Sequence, residues 1–161
     1  MMKSPYLAIP LLAFQLWASP MAAADCHVQA PVVSHAVEGE FDSVTTSLKF
    51  AIQNQGWVLS GTSHLQEMLE RTATDLGYEK GLYLDAVSYE FCSADLAHKM
   101  FNSDRRNVAT CPMTIAAYVL PDAPGTVQLS YRNPVLATED VKLEKEIRAL
   151  FEAIIEEATA W

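Results

Sequence analysis

The stretch MTIAAYVLPDAPGTVQLSY, residues 113–131, decides the fold. Met113 to Leu120 is apolar and partly β-branched, Pro121, Asp122, Pro124 and Gly125 are turn residues, and Thr126 to Tyr131 resumes a strand pattern. Two strand-like runs joined by so short a turn form an antiparallel hairpin, because a parallel return needs a crossover of about a dozen residues or more. A sheet that contains this hairpin is at least partly antiparallel, and the neighbouring segments must be arranged around it.

Downstream, Asn133-Pro134 breaks the second strand, and a last helix begins near Thr138 with Glu139 and Asp140 against its own N-terminal dipole. Leu143, Ile147, Leu150, Phe151, Ile154 and Ile155 then line one face of that helix. Upstream, Val32 to Val37 reads as a first strand, bounded by Gly39. Phe41, Val44, Leu48, Ala51 and Ile52 recur at helical spacing, with Gly56 where a left-handed C-cap belongs. Trp57 to Ser60 begins a second strand that Gly61 is expected to end. Ser63 followed by Gln66 has capping-box spacing, so a second helix is expected from there, with a stripe of Leu65, Met68, Leu69, Ala73 and Leu76 up to Gly77. From Leu82 to Cys92 a third strand places Tyr83, Val87, Tyr89 and Phe91 in alternate positions. Ser93 can cap a short helix through Leu96, Ala97, Met100 and Phe101, and Asn102 to Thr110 reads as a polar loop.

The order is strand, helix, strand, helix, strand, helix, two strands, helix. It predicts an α+β two-layer sandwich with helices on one face of a largely antiparallel sheet. A doubly wound parallel fold is the competing arrangement, and it is disfavoured because the turns carry no Gly-rich phosphate loop. There is no internal repeat, low-complexity tract or linker, so one domain is expected after the leader.

That leader is Met1 to Ala24. Lys3 supplies a positive start, Leu7 to Ala18 is apolar apart from Pro10 and Gln15, and Ala22 and Ala24 give the A-x-A arrangement that signal peptidase accepts. The apolar run is too short and too interrupted to span a bilayer. The expectation is an exported protein, periplasmic or secreted, beginning at Asp25 and running as a single domain over residues 25–161, with no membrane insertion after processing. Asp25 ahead of Cys26 argues against lipoprotein processing.

Composition narrows the partners. Against 11 Lys and Arg stand 20 Asp and Glu, a formal net charge of −9, which disfavours nucleic acid and anionic membranes because both need a cationic face. Arg105-Arg106 follows Asp104 and reads as a solvated loop.

The three cysteines, Cys26, Cys92 and Cys111, allow three pairings, each leaving one thiol over in an oxidising compartment. Cys92 sits where a strand hands over to a helix, where unpaired N–H groups and the dipole favour a thiolate, and is the candidate nucleophile. If the strand that begins at Cys111 runs antiparallel to the strand that ends at Cys92, both residues lie at one end of the sheet and can bond or share a ligand site there; if parallel, they cannot. No C-x-x-C, C-x-x-C-H, H-E-x-x-H or G-x-S-x-G occurs, which removes thioredoxin-like, c-type haem, zinc-peptidase and serine-hydrolase signatures. Carboxylate pairs such as Glu38/Glu40, Glu144/Glu146 and Glu156/Glu157 read as solvated faces, and His64 and His98 form no ligand spacing with the thiols.

The pattern as a whole resembles a known family. The helix ending in Gly56-Trp57, the strand Tyr89-Glu90-Phe91-Cys92 leading into a short helix, and Cys111-Pro112-Met113-Thr114-Ile115-Ala116-Ala117-Tyr118 with its hairpin are similar to the domain-of-unknown-function family 302, over Val32 to Ile155. The resemblance implies a small α+β domain that pairs as a homodimer, found alone or attached to other modules in bacteria, with no established activity.

Three functional readings follow. The first is a module that binds a small ligand or a partner protein near the Cys92/Cys111 end of the sheet. The second is a thiol-dependent sulfur or redox carrier or enzyme using Cys92. The third concerns the mature N-terminus: Asp25-Cys26-His27 puts histidine third, where the free amine, two backbone amides and the imidazole can surround Cu(II) or Ni(II) in a square plane. No motif calls for any other cofactor. Intact mass of the protein recovered after export is expected to correspond to a chain starting at Asp25; recovery with residues 1–24 attached and membrane-bound would refute the leader assignment.

Overall fold

A computed structural model describes residues 31–138 and 140–160. Five strands, β1 (Val32–Glu38), β2 (Val58–His64), β3 (Asp85–Cys92), β4 (Met113–Val119) and β5 (Thr126–Arg132), form one sheet in the order β1-β5-β4-β3-β2, with every neighbouring pair antiparallel. Four helices complete the fold: α1 (Phe41–Asn54), α2 (Leu65–Leu76), α3 (Ala94–Ser103) and α4 (Val141–Ala158). The fold is the predicted α+β arrangement, and the predicted hairpin is its middle, with β4 as the central strand.

Strand alternation explains which face of the sheet is covered. In β4, Met113, Ile115, Ala117 and Val119 are buried while the residues between them are half-exposed. Register carries the same face onto Val127, Leu129 and Tyr131 of β5 and onto Val87, Tyr89 and Phe91 of β3. Against this face pack α1, through Val44, Leu48, Ala51 and Ile52, and α4, through Leu143, Ile147, Phe151, Ile154, Ile155 and Ala158. Both sets follow the spacing of a single helical stripe. The Phe151 ring lies parallel to Tyr131 at 4.4 Å and edge-on to Phe91 at 5.9 Å, and Trp57 reaches Phe91 from the far side at 5.3 Å, so one aromatic row ties α4, β5, β3 and the entry to β2.

The helix ends largely obey local chemistry. Ser93 Oγ accepts the Leu96 N–H to open α3, Asp140 Oδ1 accepts the Leu143 N–H at 3.0 Å to open α4, and Gly77 closes α2 at φ +76°. The expectation for Glu139 lies outside the described residues.

Four local expectations are corrected. Gly61 does not end β2: the strand runs on to His64 through a register shift between Leu59 and Gly61. A Cβ on Gly61 would stand 2.8 Å from Glu90 Oε2 on the neighbouring strand, which accounts for glycine at this bulge. Ser63 is therefore a strand residue paired with Ser88, and α2 starts from His64 without a side-chain cap. β3 begins at Asp85, three residues later than its composition suggests, and Tyr83 instead rests edge-on against Tyr118 at 5.4 Å. Finally, the loop after α3 contains a 3-10 turn, Arg105–Thr110, opened by Asp104, whose carboxylate accepts the Arg106 N–H. No helix among the described residues is long and apolar enough to cross a membrane.

Because Phe151 joins two ring contacts at the centre of the core, Phe151→Ala is expected to cost about 3 to 5 kcal/mol of stability. Urea denaturation measures it, and an unchanged midpoint would place α4 outside the core.

Candidate functional site

The sheet splits at one end. β4 and β5 are paired from Val119↔Val127 to Ile115↔Tyr131, and there their common register stops. Beyond that point Met113 and Thr114 stay paired with Phe91 and Glu90 of β3, while Arg132 stays paired with Val32 of β1 and the Asn133 N–H donates to the Pro31 carbonyl. The two central strands have thus separated, each following its outer neighbour.

A cavity of about 520 Å³ occupies the separation. One wall comes from the approach to β4 (Thr110, Pro112, Met113, Thr114) and the other from the exit of β5 (Arg132, Asn133, Val135, Leu136). Met100 of α3 and Ile147 and Phe151 of α4, all three buried, lie behind them. The size is that of a small-molecule site, and the lining is polar and apolar in about equal parts. Arg132 is the one charged residue among the described lining residues.

The second wall is held in place by a built network. Asn107 is almost wholly buried, yet its amide is satisfied: Nδ2 donates to the Met100 carbonyl at 3.0 Å and to Ser103 Oγ at 3.1 Å, and Oδ1 accepts the Ala137 N–H at 2.7 Å. Thr110 Oγ1 donates to the Asn107 carbonyl, closing the 3-10 turn. On the other side, Glu144 Oε1 accepts the Leu136 N–H at 2.7 Å, and Arg148 Nε donates to Asn133 Oδ1 at 2.8 Å. Arg106 pairs with Asp104 and reaches the Ala137 carbonyl. The hydrogen bonds from Arg106 hold the Asp104 carboxyl down to about 2, well below the usual carboxylate range.

Cys92 and Cys111 meet at the same end of the sheet. Phe91↔Met113 pairing brings the end of β3 beside the approach to β4, and the two sulfurs stand 2.11 Å apart, at disulfide distance. Cys111 lies between Thr110 and Pro112, which line the cavity, while neither cysteine does. The Cys111-Pro112 peptide bond is cis. Asp25, Cys26 and His27 lie outside the described residues. Among the described residues no three His, Cys, Asp or Glu side chains converge as a metal site, and both His64 and His98 are exposed.

A second polar cluster flanks the cavity without lining it. The Tyr131 hydroxyl donates to Glu152 Oε1, and Glu152 Oε2 lies 3.3 Å from His35 Nε2 on β1, off the line of a hydrogen bond. Burial, reinforced by the neighbouring carboxylate, pushes the Tyr131 phenol well above its ordinary value. The cluster keeps a neutral tyrosine under the Phe151 ring and so fixes that side of the cavity.

Sequence reading pointed to the Cys92/Cys111 end of the sheet, beside which the cavity lies, and did not single out Asn107 or Arg132. The only linear signals were the two prolines, Pro112 and Pro134, which bracket the hairpin where its outer ends separate.

The fold is shared with a solved structure. A crystal structure of an uncharacterized conserved protein DUF302 from Bacillus stearothermophilus superposes with a TM-score of 0.65 at 14% sequence identity, covering 81% of this chain and 99% of that one. No curated protein is similar enough in sequence to count as a match. The model of the domain of unknown function DUF302 matches residues 33–158, nearly all of the folded chain described above, and the protein belongs to that family.

Proposed function

We propose that this protein is an exported binding module that holds a small molecule in the cavity between the ends of β4 and β5. The observation that carries the reading is the split sheet itself: about 520 Å³ of space with a mixed polar and apolar lining, walled by a strap whose backbone groups are individually anchored. Space that merely resulted from loose packing would have no such support. The Met1–Ala24 leader supports a periplasmic or secreted setting, and the family resemblance supports pairing as a homodimer.

The rival reading, thiolate chemistry at Cys92, requires a free and accessible sulfur. Cys92 stands at disulfide distance from Cys111, and a bond there would serve as a staple across the β3–β4 end. Closing a loop of this separation is worth about 3 kcal/mol in the chain-entropy model. Without reductant, Cys92 is expected to resist iodoacetamide across a pH series, and Cys92→Ser is expected to lower stability by roughly that amount. Rapid labelling of Cys92 well below the free-thiol value of about 8.5 would favour the thiolate reading instead.

The cavity is tested directly by screening small apolar molecules against the methyl resonances of Met100, Met113 and Ile147. Ala109 is an exposed lining residue, so Ala109→Trp plugs the mouth from the surface without entering the core. Binding is expected in the native protein and lost in Ala109→Trp, with stability unchanged within about 0.5 kcal/mol. Equal binding by both proteins would move the site elsewhere.

A further inference from the structure

The charges around the cavity are unevenly satisfied. Glu144 is engaged by the Leu136 N–H, Glu146 by Lys99, Asp104 by Arg106 and Glu152 by Tyr131. Among the described residues, these four carboxylates on α4 and ahead of the 3-10 turn are thus already in use. Arg132 is different. It is exposed, it lines the cavity, and among the described residues no carboxylate lies within ion-pair distance of it and no side-chain hydrogen bond engages it.

Its position is fixed by the split. Arg132 is the last residue of β5, pinned by pairing with Val32, one residue beyond the point where β4 leaves. Behind it, Arg148 holds the oxygen of Asn133, so a second guanidinium sits next to the same wall. In a chain of net charge −9 this is a local cationic edge on a chamber of mixed polar and apolar lining. Such an edge favours one kind of occupant: a molecule with an apolar body and an anionic head. Guanidinium matches carboxylate in a two-pronged geometry, and charge-assisted hydrogen bonds of this type are about twice as strong as neutral ones.

We infer that the cavity takes a carboxylate with an apolar tail, the tail along the accessible apolar lining of Pro112, Pro134 and Val135 and the carboxylate at the Arg132 guanidinium. This rests on the small-molecule reading of the same cavity and adds the chemical class of the ligand. Arg132 is then the residue that sets specificity for the head group.

The test compares octanoate, octanol and octylammonium, which share one tail and differ in head charge, by titration against the Met113 and Ile147 methyl resonances. Octanoate is expected to bind at least about tenfold more tightly than octanol, with octylammonium weakest. Arg132→Gln should remove that preference while leaving octanol affinity unchanged, and Arg132→Lys should retain part of it. Equal affinities for octanoate and octanol, or a preference that survives Arg132→Gln, would overturn the charge inference and leave the cavity reading standing. Failure of all three to move the lining resonances would overturn both.

Discussion

Every part of this fold leans on the register of β4. It is paired on both sides, its odd-numbered residues from Met113 to Val119 are buried, and its even-numbered ones are half-exposed. Because side chains alternate, a slip of one residue would exchange Ile115 and Ala117 for Thr114, Ala116 and Tyr118 across the whole core. Each large apolar residue turned outward forfeits roughly 1.5 to 3 kcal/mol, so the register is specified by burial far more strongly than by its hydrogen bonds. The helices then have one face to cover, and α1 and α4 do so side by side.

This explains why so much of the fold was legible. The hairpin signal in residues 113–131 required antiparallel pairing, and helical stripes such as Leu143-Ile147-Phe151 required a surface to pack on. Both are local patterns that tertiary structure reinforces. The failures occurred where a neighbour outweighed the local signal. Ser63-x-x-Gln66 has capping-box spacing, yet Ser63 belongs to the β2–β3 ladder, where it faces Ser88. Gly61 looks like a terminator, but its lack of a side chain serves the Glu90 carboxylate across the ladder. Neither partner is visible from the residue itself.

The site was legible only as an address. Antiparallel β3 and β4 necessarily bring Cys92 and Cys111 to one end, and the cavity lies just beyond that end. What could not be read is why there is space. An asparagine in a run such as Asp104-Arg105-Arg106-Asn107 looks like a solvated loop residue, and nothing in its neighbours announces that Met100, Ser103 and Ala137 will satisfy its amide. Burial of an asparagine is tolerable only when those bonds are made, since each unsatisfied polar group costs about 1 to 3 kcal/mol. Arg132 is hidden for the opposite reason: a lone exposed arginine carries no pattern, and its meaning comes from the carboxylates that neighbouring groups have already taken.

The opening between β4 and β5 is a consequence of commitments made elsewhere. A ladder that ran one pair further would set Arg132 opposite Thr114 and close the chamber. Arg132 and Asn133 instead follow β1, and Thr114 follows β3. The strap after Asn133 has no freedom to fold inward either, because the Leu136 N–H is spent on Glu144 and the Ala137 N–H and carbonyl on Asn107 and Arg106. Collapse would have to break these bonds near an apolar surface, where their loss is felt most. The space between the strand ends therefore persists because the backbone on either side of it is committed elsewhere, while Met100, Ile147 and Phe151 behind it stay buried in the core.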